Sequence, residues 1–375
     1  MHHTIIRKTK LFYIVAAMLI FCTSAFAFDL KGMISGKKES ETFDLNKFAE
    51  DKKGVANVYV KIEKADGIKG VKKIFIPSFQ VEFITKSSAS ASSYVMGKSA
   101  SSSVSYSLVG LDEANLQILT DYLYDEFVKD LEGMGIIVIT ANELLANPVF
   151  QEIMKSGEKS PSHQKSRLEP KAGETIVFTP HGLPFYFTVY DPKAGFSALG
   201  QLGAASSANA PHNLEGRLID ELGAAMMKVR LVAGFAEVKA SSSMGKYASQ
   251  TGTMHFTIAP KGSEILIGDK FDSWEGGFGE KKTKSYMLRH GDMAKISLLQ
   301  PIVSNDPIVK EIQDKTGKAA KVAEGVFNVL SAVTGTGSMT REYAAIVDAP
   351  VYESAGKQYL NVVREMFLLK MKESL

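Results

Sequence analysis

Lys73-Ile74-Phe75-Ile76-Pro77-Ser78-Phe79-Gln80-Val81-Glu82-Phe83-Ile84 is the stretch on which the fold turns. Aromatic and β-branched residues dominate it, with Phe75, Phe79, Val81 and Phe83 giving high strand propensity. Pro77 has no N–H for a sheet ladder, so it predicts a break within this strand or a place at a sheet edge.

Downstream, Asp112 is a good helix N-cap. Leu116, Leu119, Leu123, Phe127 and Leu131 recur at spacings of three and four, which makes one apolar helix stripe, and Gly133 is placed to end it. Ile136 to Ile139 is a wholly apolar run that reads as a buried strand. A second helix is expected from about Asn142, interrupted around Pro148. The order β–loop–α–β–α over residues 74–145 implies a parallel crossover buried by helices. The fold class expected is therefore α/β, with a mixed β-sheet flanked by helices, Ser/Gly/Ala-rich inserts and a helix-rich C-terminal part.

Farther along, Phe185 to Tyr190 reads as a strand and Leu214 to Met227 as a helix. Lys228 to Val238 reads as a strand, with Val229, Leu231, Ala233 and Phe235 on one face. Met254, Phe256 and Ile258 alternate with His255 and Thr257, as in a half-exposed strand. Ile265 to Ile267 and Ala294 to Leu299 follow as strands. Asn305 to about Ala332 reads as helical. Ser354 is placed to cap a last helix carrying Leu360, Val363, Phe367 and Met371 at helical spacing. Upstream, Asn57 to Glu63 is expected as a short strand with Val58, Val60 and Ile62 on one face. The expected divisions are a signal peptide at 1–27, a loose N-terminal extension at 28–70, an α/β domain at 71–300 and a helical part at 301–375.

The N-terminus predicts export. Arg7, Lys8 and Lys10 precede an apolar run from Leu11 to Cys22, and Ala25-Phe26-Ala27 supplies a small–x–small cleavage pattern. Cleavage is expected after Ala27. Phe21, rather than a small residue, precedes Cys22, which argues against lipidation there. Cys22 is the one cysteine in the 375 residues. The mature chain is thus expected to hold no disulfide and no thiolate metal site, and to rest on its core. Removing three basic residues leaves 41 Lys+Arg against 41 Asp+Glu, a net charge of zero with no basic footprint for nucleic acid. Beyond residue 27 no apolar run approaches the length of a spanning helix.

Two inserts, 87–107 and 193–212, are built from Ser, Ala and Gly. In the first, Val104, Tyr106 and Leu108 alternate with serines, as in a strand with one apolar and one hydroxyl face. A flexible surface hairpin is the plain reading, and a surface-inserting or subunit-pairing hairpin is the sharper one. On the sharper reading the insert orders only against a partner. Trp274, in Ser273-Trp274-Glu275-Gly276-Gly277, sits in an apparent loop tip. It is expected to bury against the sheet or, if exposed, to anchor a partner or an interface.

Chemical motifs are mostly rejected. Gly97-Lys98-Ser99 resembles the end of a phosphate-binding loop, but Ser92 stands where that loop needs glycine. No Gly-x-Ser-x-Gly elbow is present. Ser156/Lys159 and Ser162/Lys165 fall in a polar linker at 155–172, where a lysine stays solvated. His163, His181, His212, His255 and His290 contain no i, i+4 pair. No catalytic residue, cofactor or metal is assigned.

The order of elements resembles the periplasmic domain of the curli-export pore lipoproteins and their relatives in envelope assembly. Lys73 to Phe79 looks like that family's opening strand and Leu119 to Leu131 like its first helix. Ile136 to Ile139 looks like its second strand, and Asn142-Glu143-Leu144-Leu145 like the helix that follows. Phe187-Thr188-Val189-Tyr190, the small-residue insert and Lys228 to Val232 are similar to its later strands, and the amphipathic tail from Ser354 is similar to its last helix. The pattern covers about residues 70–270 plus the tail. The family's pore members are lipidated on a first mature cysteine, which this chain lacks.

The resemblance and the export signal imply a non-enzymatic periplasmic or outer-membrane-associated component of envelope assembly or secretion. Its expected partners are envelope proteins or its own subunits, with outer-membrane contact and no nucleic acid. A periplasmic ligand-binding module, with Trp274 and nearby loops in a pocket, is one alternative. An envelope hydrolase with a nonstandard site is another. An enzyme should gather perturbed titratable groups in a pocket, whereas an assembly protein should expose an apolar patch or a long strand edge.

Overall fold

A computed structural model describes residues 41–95, 98–165, 173–186, 211–243, 246–276, 283–317 and 337–375. The expected signal peptide, most of the 193–212 insert, residues 187–190 of the expected 185–190 strand and residues 318–332 lie outside these.

The chain enters through α1 (Leu45–Glu50) and α2 (Lys52–Tyr59), then β1 (Val60–Glu63). The long strand β2 (Lys73–Val95) turns back into β3 (Lys98–Val109). Helix α3 (Glu113–Gly133), strand β4 (Ile137–Ile139) and helices α4 (Ala141–Ala146) and α5 (Pro148–Ser156) follow. Next come β5 (Ser162–Lys165), β6 (Glu174–Phe178), α6 (Pro211–Leu222) and β7 (Ala225–Gly234). Strands β8 (Glu237–Ser243), β9 (Lys246–Thr253), β10 (His255–Ile258), β11 (Glu264–Gly268), β12 (Phe271–Gly276) and β13 (Thr283–Leu288) continue the chain. It closes with β14 (Ala294–Leu298), β15 (Ile302–Pro307), β16 (Val309–Asp314), β17 (Gly337–Val347) and α7 (Ala349–Lys372).

The architecture is α/β, with a large mixed sheet ordered β1-β14-β11-β7-β2-β3-β17-β16. Strands β2 and β7 run parallel, as do β2 and β4, and β3 and β17. Strand β2 is therefore central, so Pro77 marks a break and not an edge. Against β7 the register passes from Phe75↔Met226 to Ser78↔Lys228, placing one extra residue in β2. This β-bulge absorbs the missing N–H and bends the strand.

Beyond the bulge the two sheet faces separate cleanly. Phe79, Val229, Ile265, Ile296 and Ile62 form one cross-strand row. Helices α3 and α7 cover that row. The Phe79 ring meets Tyr124 and Phe127 edge-on, each with centroids 5.4 Å apart. Each such ring contributes roughly 1.5–3 kcal/mol by leaving water. Arg364 of α7, 6% exposed, pairs with Glu126 at 3.3 Å and Asp130 at 3.1 Å and ties the two helices together.

Local signals explain the helix ends. Asn115 accepts the Asp112 N–H at 3.0 Å at the start of α3. Thr140 and Glu143 cap α4 reciprocally, and Asn147 stops it and caps α5, whose first residue is Pro148. Gly223, at φ +54°, ends α6 in the left-handed region, so Ala225–Met227 begin a strand rather than extending the helix.

Several expectations are corrected. Residues 43–70 are no loose extension: Phe43, Phe48, Val55, Ala56 and Val60 are buried in the main core. Residues 57–59 close a helix, leaving Val58 exposed. Residues 305–314 form strands β15 and β16 instead of a helix, so the part after 301 is not simply helical. The last helix begins at Ala349 under an Asp348 cap, with Ser354 one turn inside. Ile137 is 63% exposed because β4 has a strand neighbour on one side, so that run is not wholly buried. No helix among the described residues is long and apolar enough to cross a membrane.

Candidate functional site

Two regions stand out, a strand arm and a polar cleft. The arm begins where β2 leaves the helices. From Lys86 to Val95 it pairs with β3, Lys86↔Ser107 through Val95↔Lys98, and β17 adds to β3 in parallel over Ala100–Val109. The elements packed against β3 are strands β2, β17, β8 and β9. Strands β8 and β9 form their own antiparallel hairpin.

Small side chains bury little apolar surface, so hydrogen-bond ladders and a few anchors hold the arm. Val104 is fully buried and Tyr106 is 7% exposed, while Leu108 is half-buried. The Tyr106 ring stacks on Tyr343 of β17, with centroids 5.0 Å apart and planes 18° apart. This corrects the expectation that the 87–107 insert orders only against a partner. Its apolar face is covered by the chain itself, so Val104 and Tyr106 are anchors of the arm rather than a contact surface.

The sequence carries one signal common to both hairpins. Met-Gly-Lys occurs at 96–98 and again at 244–246, each time between strands rich in Ser and Ala. Lys98 and Ser99 open a strand, whereas a phosphate-binding loop needs a helix there.

Trp274 is neither in a loop tip nor buried. It lies in β12, 49% exposed, with Ser285 opposite it on β13. Met287, opposite Asp272, shares its outward face and is 44% exposed. The inward face of this hairpin is fixed to α6: Tyr286 Oη donates to Asp220 at 2.9 Å and Lys284 pairs with the same carboxylate at 2.7 Å. Gly216 permits the approach, since a Cβ there would lie 3.3 Å from the Leu288 nitrogen.

The cleft sits on the sheet face opposite α3 and α7, with α6 at its side. Here Gln80, Arg230, Glu264 and Ser297 form one cross-strand row, and Ser78, Lys228, Leu266 and Lys295 form the next. Arg230 pairs with Glu82 at 3.0 Å, and Lys295 with Glu264 at 2.6 Å. Glu82 is 2% exposed, so this is a largely desolvated ion pair. Lys228 pairs with the fully buried Glu215 of α6, and Tyr186 Oη donates to that carboxylate at 2.8 Å. The Lys228 ammonium also lies 5.4 Å from the Tyr186 ring centroid.

Electrostatics follow from this burial. Desolvation pulls the Lys228 ammonium below its ordinary pKa, against the opposing pull of Glu215. Desolvation and then the Glu215 charge push the Tyr186 hydroxyl well above its ordinary value. Burial holds His290 below the usual histidine range. Trp274 does not line this cleft, whose lining includes Ser78, Gln80, Tyr186, Lys228, Arg230 and Glu264. Among the described residues no group of His, Cys, Asp and Glu has the arrangement of a metal site.

Fold and site together define an α/β domain carrying a long strand arm and a separate polar cleft. No protein-family model, curated protein or solved structure matches the chain.

Proposed function

We propose that this protein is a non-enzymatic component of envelope assembly or secretion, acting in the periplasm or at the outer-membrane periphery, with the strand arm as its assembly surface. The observation that carries the reading is the arm itself: three paired strands, rich in small residues, with a second antiparallel pair of like composition beside it and Met-Gly-Lys recurring in the sequence of both. Small side chains allow backbones to approach closely, and strand edges add further strands through main-chain hydrogen bonds. Among the described residues no strand pairs the outer side of Gly337–Thr340. The export-type N-terminus supports an envelope location, and the family resemblance points the same way. The partners that fit are further copies of this chain or other envelope proteins, with outer-membrane contact at the hairpins.

Sedimentation velocity and membrane fractionation of the mature chain test this. The parent should sediment as an oligomer or fractionate with membranes. Deleting residues 88–106 should abolish both. Thr340→Lys, which puts a charge on the exposed edge, should weaken assembly without lowering the melting temperature. A parent chain that is monomeric and wholly soluble, or a deletion that behaves like the parent, refutes the proposal.

A further inference from the structure

We propose that the cleft between β2, β7 and β11 binds a small zwitterion, a molecule carrying an ammonium and a carboxylate a few bonds apart, as a free amino acid does. Size sets the class first. The cleft holds about 140 Å³, well below the ~300–1,000 Å³ typical of sites for drug-sized ligands.

Charge narrows it further. Arg230 and Glu264 are register partners on neighbouring strands, so a guanidinium and a carboxylate stand side by side in the lining. The nearby charges cancel: Lys228, Arg230 and Lys295 face Glu215, Glu82 and Glu264. A simple anion attracted to Arg230 therefore meets carboxylates as well, and a simple cation meets the reverse. A ligand with both charges can add to the Arg230–Glu82 and Lys295–Glu264 pairs without leaving a net charge in the cleft.

Donor geometry points the same way. Arg230 gives one Nη to Glu82 at 3.0 Å, and its side chain stays partly exposed in the cleft lining. A planar guanidinium recognises a carboxylate through paired N–H groups. Gln80 is held in place by donating to Ser78 Oγ at 2.9 Å and to the Tyr186 carbonyl at 3.4 Å, which fixes the floor beside Arg230. Depressed basicity at Lys228 is the kind of perturbation found where a site is built for binding.

Isothermal titration of the mature chain tests the proposal. The probes are glycine, L-alanine, L-serine and L-aspartate, together with N-acetyl-alanine, alaninamide and inorganic phosphate. At least one free amino acid should bind saturably, and blocking either its amine or its carboxylate should weaken binding at least tenfold. Arg230→Gln should abolish binding but strands the buried Glu82, so it risks misfolding. Glu264→Gln, at a half-exposed pair, should leave melting unchanged and weaken the same ligand at least tenfold. No saturable binding by any free amino acid, equal binding of the N-acetyl form, binding of phosphate alone, or an unaffected Glu264→Gln variant each overturns it. The result is independent of assembly, which sedimentation reads separately.

Discussion

The inner and outer halves of β2 are one continuous strand held by different forces. From Ile74 to Ile84 the residues on the helix side are large and apolar, and Phe79, Val81 and Phe83 are completely buried. After Lys86 the strand is Ser and Ala up to a terminal Tyr and Val, and its partner β3 is equally rich in serine. The inner half is stabilised by area removed from water. The outer half rests on ladder hydrogen bonds, each contributing a net ~0.5–1.5 kcal/mol, and on the anchors Val104 and Tyr106. Strand geometry thus reports nothing about the depth of the energy well that maintains it.

The most forceful way to break this comparison is to truncate an inner ring. Phe79→Ala removes a side chain packed against Tyr124 and Phe127 and should cost about 3–5 kcal/mol in urea unfolding. A loss no larger than that of an arm mutant would show that the two halves are held alike.

Alkali offers a second probe. Burial raises the Tyr124 hydroxyl from 10 to about 12, and it also raises Tyr106 of the arm, with Tyr343 adding to it. A raised folded-state value means that the stabilisation is complete below pH 10 and is lost as pH climbs from 10 through about 12. For Tyr124 this amounts to roughly 3 kcal/mol. The urea midpoint should fall steeply over that window, and Tyr124→Phe should flatten the fall more than Tyr106→Phe does.

In the arm itself, Tyr106→Ala should cost about 1–2 kcal/mol, from lost stacking and burial. Hydrogen exchange should locate the damage: amides of residues 98–107 should lose protection while those of 79–83 keep theirs. Uniform loss would mean that arm and core unfold as one unit. The smallest expected effect is a gain. Ser105→Thr, on a half-buried strand position opposite Ser88, should stabilise the arm by a few tenths of a kcal/mol, read as slower exchange there.

What the sequence revealed depended on the range of the forces involved. Helix α3 was legible because its cap and its stripe from Leu116 to Leu131 are local patterns, and the same holds for the α4–α5 break at Pro148. The α/β class followed from the order of such elements. Pro77 was read only as break or edge because a bulge is defined by a neighbouring strand 150 residues away. The 305–314 segment read as helical because pairing with β10 and β17 is invisible in local periodicity. Trp274 was misplaced for a related reason: its hairpin docks on α6 through Asp220 and Gly216, leaving the indole outward. The cleft was not legible at all. Glu82, Glu215, Lys228 and Arg230 look like ordinary surface charges until the sheet and Tyr186 bring them together.

Strand β2 also has a mechanical consequence. Its 23 residues, at about 3.3 Å each, make a bar roughly 75 Å long with no loop between arm and core. A pull along its outer end would load the parallel β2–β7 ladder in shear, with many hydrogen bonds resisting together, while the short β8–β9 hairpin would peel one bond at a time. The irregularity at Ile84–Lys86, where β2 carries one extra residue against β6, would then be the first compliant point on the bar, and whatever it does not absorb would reach Phe79 and the α3 helix before the bulge at Pro77.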